Sequence, residues 1–241
     1  MIVLTGHAGG IGRALAHAFL EAGHSVLGID RVSNAAVVTD ELTLDLITLG
    51  TKEGKLILET QLRELLDGRP VEALINNAAW QCVCPIRSLD PEQLTQSFLI
   101  NAIAPMTIFQ LLCEALRASE GTLVNVTSVH TLASKADFGA YASSKAALGS
   151  LTRSIALEEG NWLRVIELRL GAVSTPMLEA GFEGEPEKRQ LLNDFQPSGR
   201  VCKPEELANL IVSLLSDKGI GLHGAVLNLD GGIHYSLRDP A

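Results

Sequence analysis

The stretch YASSK places a tyrosine and a lysine four residues apart, at Tyr141 and Lys145. On a helix this spacing stacks the two side chains on one face, one turn apart, so that an ammonium group can act on a phenol. A free phenol titrates at about 10 and is a poor base at neutral pH unless cations favour its anion. The pair is therefore a candidate acid–base couple, although two tyrosines and seven lysines also reach this spacing by chance.

A glycine-rich turn follows the first apolar run of the chain, in the stretch TGHAGGIG with Gly6, Gly10 and Gly12. It opens a helical pattern, so bare backbone amides lie at a helix N-terminus, where a pyrophosphate can bind. Glycines let the backbone turn sharply and approach a ligand closely. The spacing differs from the usual GxGxxG fingerprint, and a plain tight turn between strand and helix is the alternative.

An acidic residue, Asp30, ends the next strand, 24 residues after Gly6. A carboxylate there can accept hydrogen bonds from both hydroxyls of an adenosine ribose and repels a 2′-phosphate. Arg31 and His7 favour NADP instead, because either side chain could bind that phosphate. Asp30 is alternatively a simple turn residue. We predict NAD as the cofactor in preference to NADP.

The elements that must position these residues alternate along the chain. Short aliphatic runs such as MIVLT, SVLGID and GTLVNVTS alternate with helical patterns near 91–99, 101–118, 140–159 and 204–216. This alternation predicts an α/β fold: one Rossmann-like, doubly wound parallel sheet with helices on both faces, in a single domain spanning 1–241. Residues 176–203 hold three prolines and three glycines with poor periodicity, which predicts a mobile substrate lid.

Composition narrows the classes of partner. The formal charge of −9, with no run of basic residues, disfavours nucleic acid and anionic membranes. The four cysteines form no CxxC pair and no metal-ligand spacing, so we predict no metal and a reducing cytoplasmic location. Neither a signal peptide nor a transmembrane run is apparent, so no export is expected.

Several motifs occur in a fixed order: TGHAGGIG, NNAA at 76–79, Asn101, the Thr127-Ser128 pair, YASSK, GAVSTPM at 171–177 and LNLDGG at 227–232. In this order the chain resembles the short-chain dehydrogenase/reductase family over nearly its whole length. It departs from the family pattern at Leu170, where Pro is usual, at Ala79, where Gly is usual, and in the preceding strand, where Ile166 or Glu167 replaces Asn.

The resemblance implies specific roles. Tyr141 is the catalytic acid or base, Lys145 binds the nicotinamide ribose and lowers the pKa of Tyr141, Ser128 orients the substrate oxygen, and Asn101 holds a proton-relay water. Taken alone, Ser128 is also compatible with a capping hydroxyl at a strand end, and Asn101 with a helix cap. The implied cofactor contacts are Gly6, Gly10, Ile11, Gly12, Asp30, Asp45, Leu46, Asn76, Ala78, Tyr141, Lys145, Gly171, Val173 and Thr175.

The implied substrate cleft is mostly apolar, with Trp80, His130, Leu170 and Met177 as its candidate walls. Such a cleft suits a medium-sized alcohol or ketone that is held by burial and oriented by one or two hydrogen bonds. His130 is either a polar wall residue or a second proton shuttle. Arg169 could bind a substrate carboxylate, unless strand alternation turns it away.

One function is favoured, with two alternatives. The favoured function is an NAD(H)-dependent alcohol dehydrogenase or carbonyl reductase that moves a hydride between nicotinamide and a secondary alcohol or ketone. The alternatives are a non-catalytic, nucleotide-binding redox regulator and an NADP-dependent ketoreductase. Helices 101–118 and 140–159 carry apolar residues on more than one face, which predicts a homotetramer or homodimer; burial within the monomer is the alternative.

Overall fold

A seven-stranded parallel sheet forms the centre of the protein, in a computed structural model that describes residues 1–216 and 219–236. The strands are Ile2–Thr5 (β1), Val26–Asp30 (β2), Asp40–Thr43 (β3), Ala73–Asn76 (β4), Thr122–Ser128 (β5), Arg164–Leu170 (β6) and Ala225–Leu229 (β7). Their order across the sheet is β3-β2-β1-β4-β5-β6-β7, and every neighbouring pair is parallel. The predicted fold class is therefore confirmed.

Helices cover both faces of this sheet. They are Gly10–Glu21 (α1), Lys52–Leu66 (α2), Pro91–Phe98 (α3), Ala104–Arg117 (α4), Gly139–Glu159 (α5), Pro176–Ala180 (α6), Pro186–Asp194 (α7) and Pro204–Ser216 (α8). Helices α2, α4 and α5 contribute to one buried cluster, and α1 and α8 to the other. Because side chains alternate along a strand, Val3 joins the first cluster while Ile2 and Leu4 join the second.

Three elements differ from the sequence interpretation. Helix α2 was not predicted, although Leu58, Leu62 and Leu66 recur every four residues and are buried. The two helices predicted near 91–99 and 101–118 follow one another without a break. A π-helical turn at Leu99–Ile103 joins α3 to α4. The excursion at 176–203 contains two short helices, α6 and α7.

Within the described residues, one helix, Pro91–Arg117, is long and apolar enough to cross a membrane by length and composition alone. Its most apolar window is 56% buried inside the fold. Core helices of soluble proteins pass the same test, so this helix is weak support for membrane insertion. The absence of a membrane partner remains a prediction.

Candidate active site and dinucleotide cleft

The glycine turn after β1 has a shape that only glycines allow. Gly6 has a φ of +74°, in the left-handed region that L-residues rarely adopt. A Cβ on Gly12 would overlap the carbonyl oxygen of Gly6, and one on Gly10 would lie 2.9 Å from the side chains of Thr175 and Pro176. The turn thus lies against the start of the 176–203 excursion, and Thr175 is brought to Gly10, another predicted cofactor contact.

The first turn of α1 is suited to an anion. Among the described residues no side chain caps it, and the turn itself contains no acidic residue. Backbone N–H groups at a helix N-terminus that lack such partners bind phosphate oxygens. This N-terminus fits the pyrophosphate of a dinucleotide, and the glycines are needed because a Cβ at Gly6, Gly10 or Gly12 would meet protein atoms that pack against the turn.

Two residues that were not predicted as site residues hold the glycine turn in place. The Asn77 side-chain amide donates to the backbone oxygens of Thr5 (3.0 Å) and Gly6 (3.3 Å). The Thr5 hydroxyl accepts hydrogen bonds from the backbone amides of Asn77 (3.1 Å) and Ala78 (3.0 Å). The loop after β4, with Ala78, is therefore fastened to the turn after β1. The NNAA motif was the sequence signal for this role.

Asp30 lies at the carboxyl end of β2, beside the glycine turn. Its carboxylate accepts hydrogen bonds from the backbone amides of Ala8 (3.0 Å) and Val32 (3.1 Å). The residue is only partly buried. A carboxylate has about four acceptor sites, so lone pairs remain for ribose hydroxyls. This position fits the predicted ribose contact.

Other predicted cofactor residues are placed less directly. The Leu46 side chain is buried in the core, so it is not available to a ligand. Asp45 is exposed, and its carboxylate accepts a hydrogen bond from the backbone amide of Ile47 at 3.1 Å. The whole Asn76 residue is only 1% exposed, and its side chain donates to Asn125 at 2.8 Å, so this predicted cofactor residue offers almost no surface to a ligand.

The segment after β6 turns across the end of the sheet. Gly171 packs so closely on Asp230 that a Cβ would lie 2.7 Å from the Asp230 backbone. Val173 is buried and forms a β-bridge with Cys202, and the Thr175 hydroxyl caps α6 by accepting from the Leu178 amide at 3.2 Å. This segment is therefore fixed at both ends.

Ser128, Tyr141 and Lys145 come together between the end of β5 and the start of α5. Ser128 is the last residue of β5, and its hydroxyl is beside the Tyr141 phenol. Lys145 is 1% exposed, and its Nζ donates to the backbone oxygen of Val126 at 2.7 Å. Open α/β sheets bind their ligands at this carboxyl edge, where the glycine turn also lies.

Burial sets the protonation of these groups. It raises the pKa of the Tyr141 phenol above its usual value of 10.0, and the Ser128 hydroxyl opposes this rise by a smaller amount. Burial also lowers the pKa of Lys145 to about 7. The expectation that Lys145 lowers the pKa of Tyr141 is therefore not met in the protein without ligand, where desolvation outweighs other influences. The phenol is held as a neutral proton donor.

Asn101 sits in the π-helical turn and is fully buried. Its side chain accepts from the Trp80 backbone amide (2.8 Å) and donates to the Trp80 backbone oxygen (2.9 Å) and the Ser144 hydroxyl (2.9 Å). Ser144 in turn donates to the Tyr141 backbone oxygen at 2.9 Å. Both amide N–H groups of Asn101 are committed, so a water bound by Asn101 would have to donate to its backbone carbonyl or to the second lone pair of Oδ1.

His130 lies in an aromatic group with Phe138 and Tyr141. Its ring stacks on Phe138 with centroids 4.7 Å apart and meets the Tyr141 ring edge-on at 5.9 Å. Burial and the nearby Lys135 lower the pKa of His130 from 6.5, so the imidazole is neutral at physiological pH. A neutral ring in this position suits a polar wall. Phe138 was not predicted as part of the site, since the sequence pattern around it gives no signal.

The remaining predicted substrate residues are distributed unevenly. Trp80 is partly buried, and Met177 at the start of the excursion is 66% exposed. Leu170 is 6% exposed and packs in the core with α8, so its side chain contributes little surface to a pocket. Arg169 donates to the buried Glu167 carboxylate at 2.8 Å, which directs it to that carboxylate and not to a substrate.

Comparison with known proteins decides the family. A family model described as short chain dehydrogenase matches residues 1–186. The chain belongs to the short-chain dehydrogenase family. It is therefore an oxidoreductase of the nucleotide-binding Rossmann type that acts on a small molecule.

Among curated members of the short-chain dehydrogenase family, Protein FixR of Bradyrhizobium diazoefficiens is 32% identical over 97% of this chain and 86% of its own. L-Xylulose reductase of Bos taurus is 30% identical over 95% of this chain and 94% of its own. The similarity therefore extends over the full sheet and includes the excursion.

Solved short-chain dehydrogenase structures agree with the fold. A protein described as an NAD(P)-dependent gluconate 5-dehydrogenase from Beutenbergia cavernae, with NADP bound at low occupancy, superposes with a TM-score of 0.86 at 28% identity, over 98% of this chain and 96% of that one. A 4-hydroxyisoleucine dehydrogenase in complex with NADH gives 0.87 at 25% identity, over 98% and 99%. Both forms of the cofactor thus occur among the relatives.

Proposed function

We propose that this short-chain dehydrogenase is an NAD(H)-dependent alcohol dehydrogenase or carbonyl reductase, acting on a secondary alcohol or ketone, with Tyr141 as its acid–base residue. The observation that carries the proposal is the convergence of Ser128, Tyr141 and the buried Lys145 at the carboxyl end of β5, on the same sheet edge as the glycine turn.

The chain's own groups account for the proton. In reduction, the neutral Tyr141 phenol donates its proton to the carbonyl oxygen; in oxidation, the Tyr141 phenolate, formed by loss of that proton, takes the proton from the alcohol. The Ser128 hydroxyl bonds the same substrate oxygen and keeps it against the phenol. A nicotinamide, once bound, would supply the hydride to the substrate carbon or take it up. Lys145 uses one donor on Val126, which leaves further N–H groups for ribose hydroxyls.

NAD is proposed over NADP because of Asp30. Its carboxylate lies where a ribose would meet the glycine turn, and a 2′-phosphate would meet like charge there. Relatives include both an NADP complex and an NADH complex, so the choice rests on this chain's own residues. The four cysteines, all within the described ranges, are free thiols, which suits a proposed reducing cytoplasm.

The Phe138 ring, stacked on His130 near Tyr141, suits a medium-sized alcohol or ketone, and His130 offers one polar group to it. L-Xylulose reductase, a relative, is named for a sugar substrate, which favours hydroxylated compounds as the first group to screen. The described residues contain no group of three potential metal ligands, and the proposed chemistry uses none.

The test is turnover of secondary alcohols, polyols and cyclic hydroxy compounds with NAD, read at the absorbance of the reduced nicotinamide. Tyr141→Phe should lower kcat by about 10²–10⁴-fold, because only the proton-transfer group is removed. NAD binding should be preserved. A Tyr141→Phe variant as active as the wild type would exclude Tyr141 as the acid–base residue, and NADH binding without turnover of any substrate would favour a regulator.

A further inference from the structure

A second carboxylate, that of Glu41 in β3, lies next to the ribose side of the glycine turn. It receives three hydrogen bonds: from the His7 Nε2 (2.8 Å), the Ser33 hydroxyl (2.6 Å) and the Asn34 backbone amide (2.5 Å). An ionised carboxylate only accepts, so His7 donates through Nε2. The Ser33 bond, followed by the Asn34 and His7 bonds, lowers the pKa of Glu41, so the group is an anion at neutral pH.

His7 reaches this carboxylate from inside the glycine turn. Its side chain is fully buried, and its other ring nitrogen, Nδ1, has no hydrogen-bond partner among the described residues. The ring crosses β2 at Gly28, where a Cβ would lie 2.6 Å from the imidazole. Gly28 pairs with Glu41 in the sheet. Because Gly28 has no side chain, the His7 imidazole of the glycine turn can pass across β2 and bond to Glu41 in β3.

The donors that Glu41 holds are of the kind that bind phosphate. A hydroxyl and a backbone amide from the loop that begins directly after Asp30, and an imidazole N–H from the glycine turn, converge on one anion. Arg31 in the same loop is exposed and forms no ion pair within the described residues. Without the Glu41 carboxylate, this loop would present two donors and a guanidinium beside the proposed ribose site, and the buried His7 imidazole would be a third donor behind them.

We infer that Glu41 is a specificity-determining residue that excludes NADP by occupying, from within the protein, the donors that a 2′-phosphate needs. Asp30 then repels the phosphate directly. Glu41 accepts the hydrogen bonds of Ser33, Asn34 and His7, so these donors cannot offset that repulsion by binding the phosphate. The inference rests on the proposed function, because it concerns the same dinucleotide cleft.

The experiment measures the affinities of NAD and NADP by calorimetry on the purified full chain, without turnover. Glu41→Gln keeps the shape but removes the charge and half of the acceptor sites, so NADP should bind about tenfold tighter relative to NAD. Asp40→Asn is the matched control: it removes the same charge from the neighbouring residue, whose carboxylate is bonded to Arg69 at 3.0 Å. Its ratio of affinities should equal that of the wild type.

Each outcome decides a different claim. A Glu41→Gln protein in which both affinities change equally, or an Asp40→Asn protein with the same gain for NADP, overturns the inference and leaves a structural role for Glu41. If Glu41→Gln does not fold, Glu41→Asp must still raise NADP relative to NAD, because the shorter side chain withdraws the anion from Ser33 and Asn34. A wild type that binds neither nucleotide contradicts the proposed function itself.

Discussion

At the scale of single residues, the charge of Lys145 depends strongly on burial. It is 1% exposed, and burial alone brings its pKa to about 7 from the usual 10.5. At neutral pH about half of the Lys145 side chains are therefore uncharged. Lys145 then contributes little positive charge beside the Tyr141 phenol. Cofactor binding, which adds hydroxyl acceptors and negative phosphates to the cleft, should favour the charged form.

Lys145→Met should stabilise the protein without ligand, and more at low pH than at high pH. Between pH 7 and 10 the folded chain holds fewer protons on Lys145 than the unfolded chain, so the wild type gains stability as the pH rises. Below pH 7 the buried amine is charged and costs the most. Urea denaturation should find the gain from Lys145→Met larger at pH 6 than at pH 9, by about 2 kcal/mol.

A gain from Lys145→Met that is the same at both pH values would mean that the amine does not titrate in this range. The variant should also lose NAD affinity, measured separately, because the proposed ribose donor is gone. Lys55→Met is a suitable control, since Lys55 in α2 is exposed and forms no ion pair within the described residues. Its effect should not depend on pH in this range.

The chemistry of these residues was more predictable than their partners. Tyr141 and Lys145 could be chosen because a helix fixes which residues share a face. The bond between Lys145 and the Val126 backbone, and the stacking of His130 on Phe138, join parts of the chain whose contact depends on tertiary packing. The direction of the pKa shift at Tyr141 was missed for the same reason: the depth of burial is a property of the packed structure.

At the scale of elements, the π-helical turn at Leu99–Ile103 gives Asn101 its role. A π turn inserts one residue into a helix and is often found at functional sites. Here it aims the Asn101 side chain at both backbone groups of Trp80, in the way that a neighbouring strand would. The helix thereby fixes the loop after β4, and through Ser144 it is linked to the first turn of α5.

Asn101→Ala should destabilise the protein by about 2–4 kcal/mol, because it leaves the two Trp80 backbone groups and the Ser144 hydroxyl without their partner. Ser144→Ala removes one hydroxyl from the same network and should cost about 1 kcal/mol. Urea denaturation of both variants and the wild type measures the difference. Equal costs for the two variants would show that the Trp80 bonds contribute nothing to stability.

Elements were predictable where periodicity was strong. The strands around the centre of the sheet are continuous apolar runs because both of their faces are buried. The π turn could not be foreseen, since a single inserted residue barely alters the helical pattern and its bonds to Trp80 are tertiary. Helices α6 and α7 each begin with a proline and expose most of their residues, so they show no apolar face to recognise.

At the scale of the whole molecule, assembly remains a prediction that the surface helps to localise. On the two helices proposed as an interface, Leu157 in α5 is 87% exposed, and Ile103 at the start of α4 is 44% exposed. A single exposed aliphatic side chain is normal on a protein surface, so these two residues mark the contact only because the prediction places it on these helices. The proposed homotetramer or homodimer would bury them through two-fold contacts.

Light scattering after size exclusion should give a mass that is twice or four times the chain mass of 25.7 kDa. Leu157→Glu should reduce this mass, because a charge would be buried in the contact. Leu56→Glu in α2 is the control, because Leu56 is 63% exposed but lies outside the two helices. The Leu56→Glu variant should form an assembly of the same mass as the wild type. A monomeric wild type would contradict the predicted assembly.

The order of the strands also bears on how a nascent chain acquires its structure. After β1, β2 and β3 have formed one half, β4 joins the free side of β1, and β5, β6 and β7 follow at the growing margin in the order in which they leave the ribosome. Each of the strands β4 to β7 therefore pairs with a strand that was synthesised before it. Until β7 arrives, however, the backbone of β6 is an unpaired edge that other chains can bind, so a stall in synthesis near residue 220 should favour aggregation.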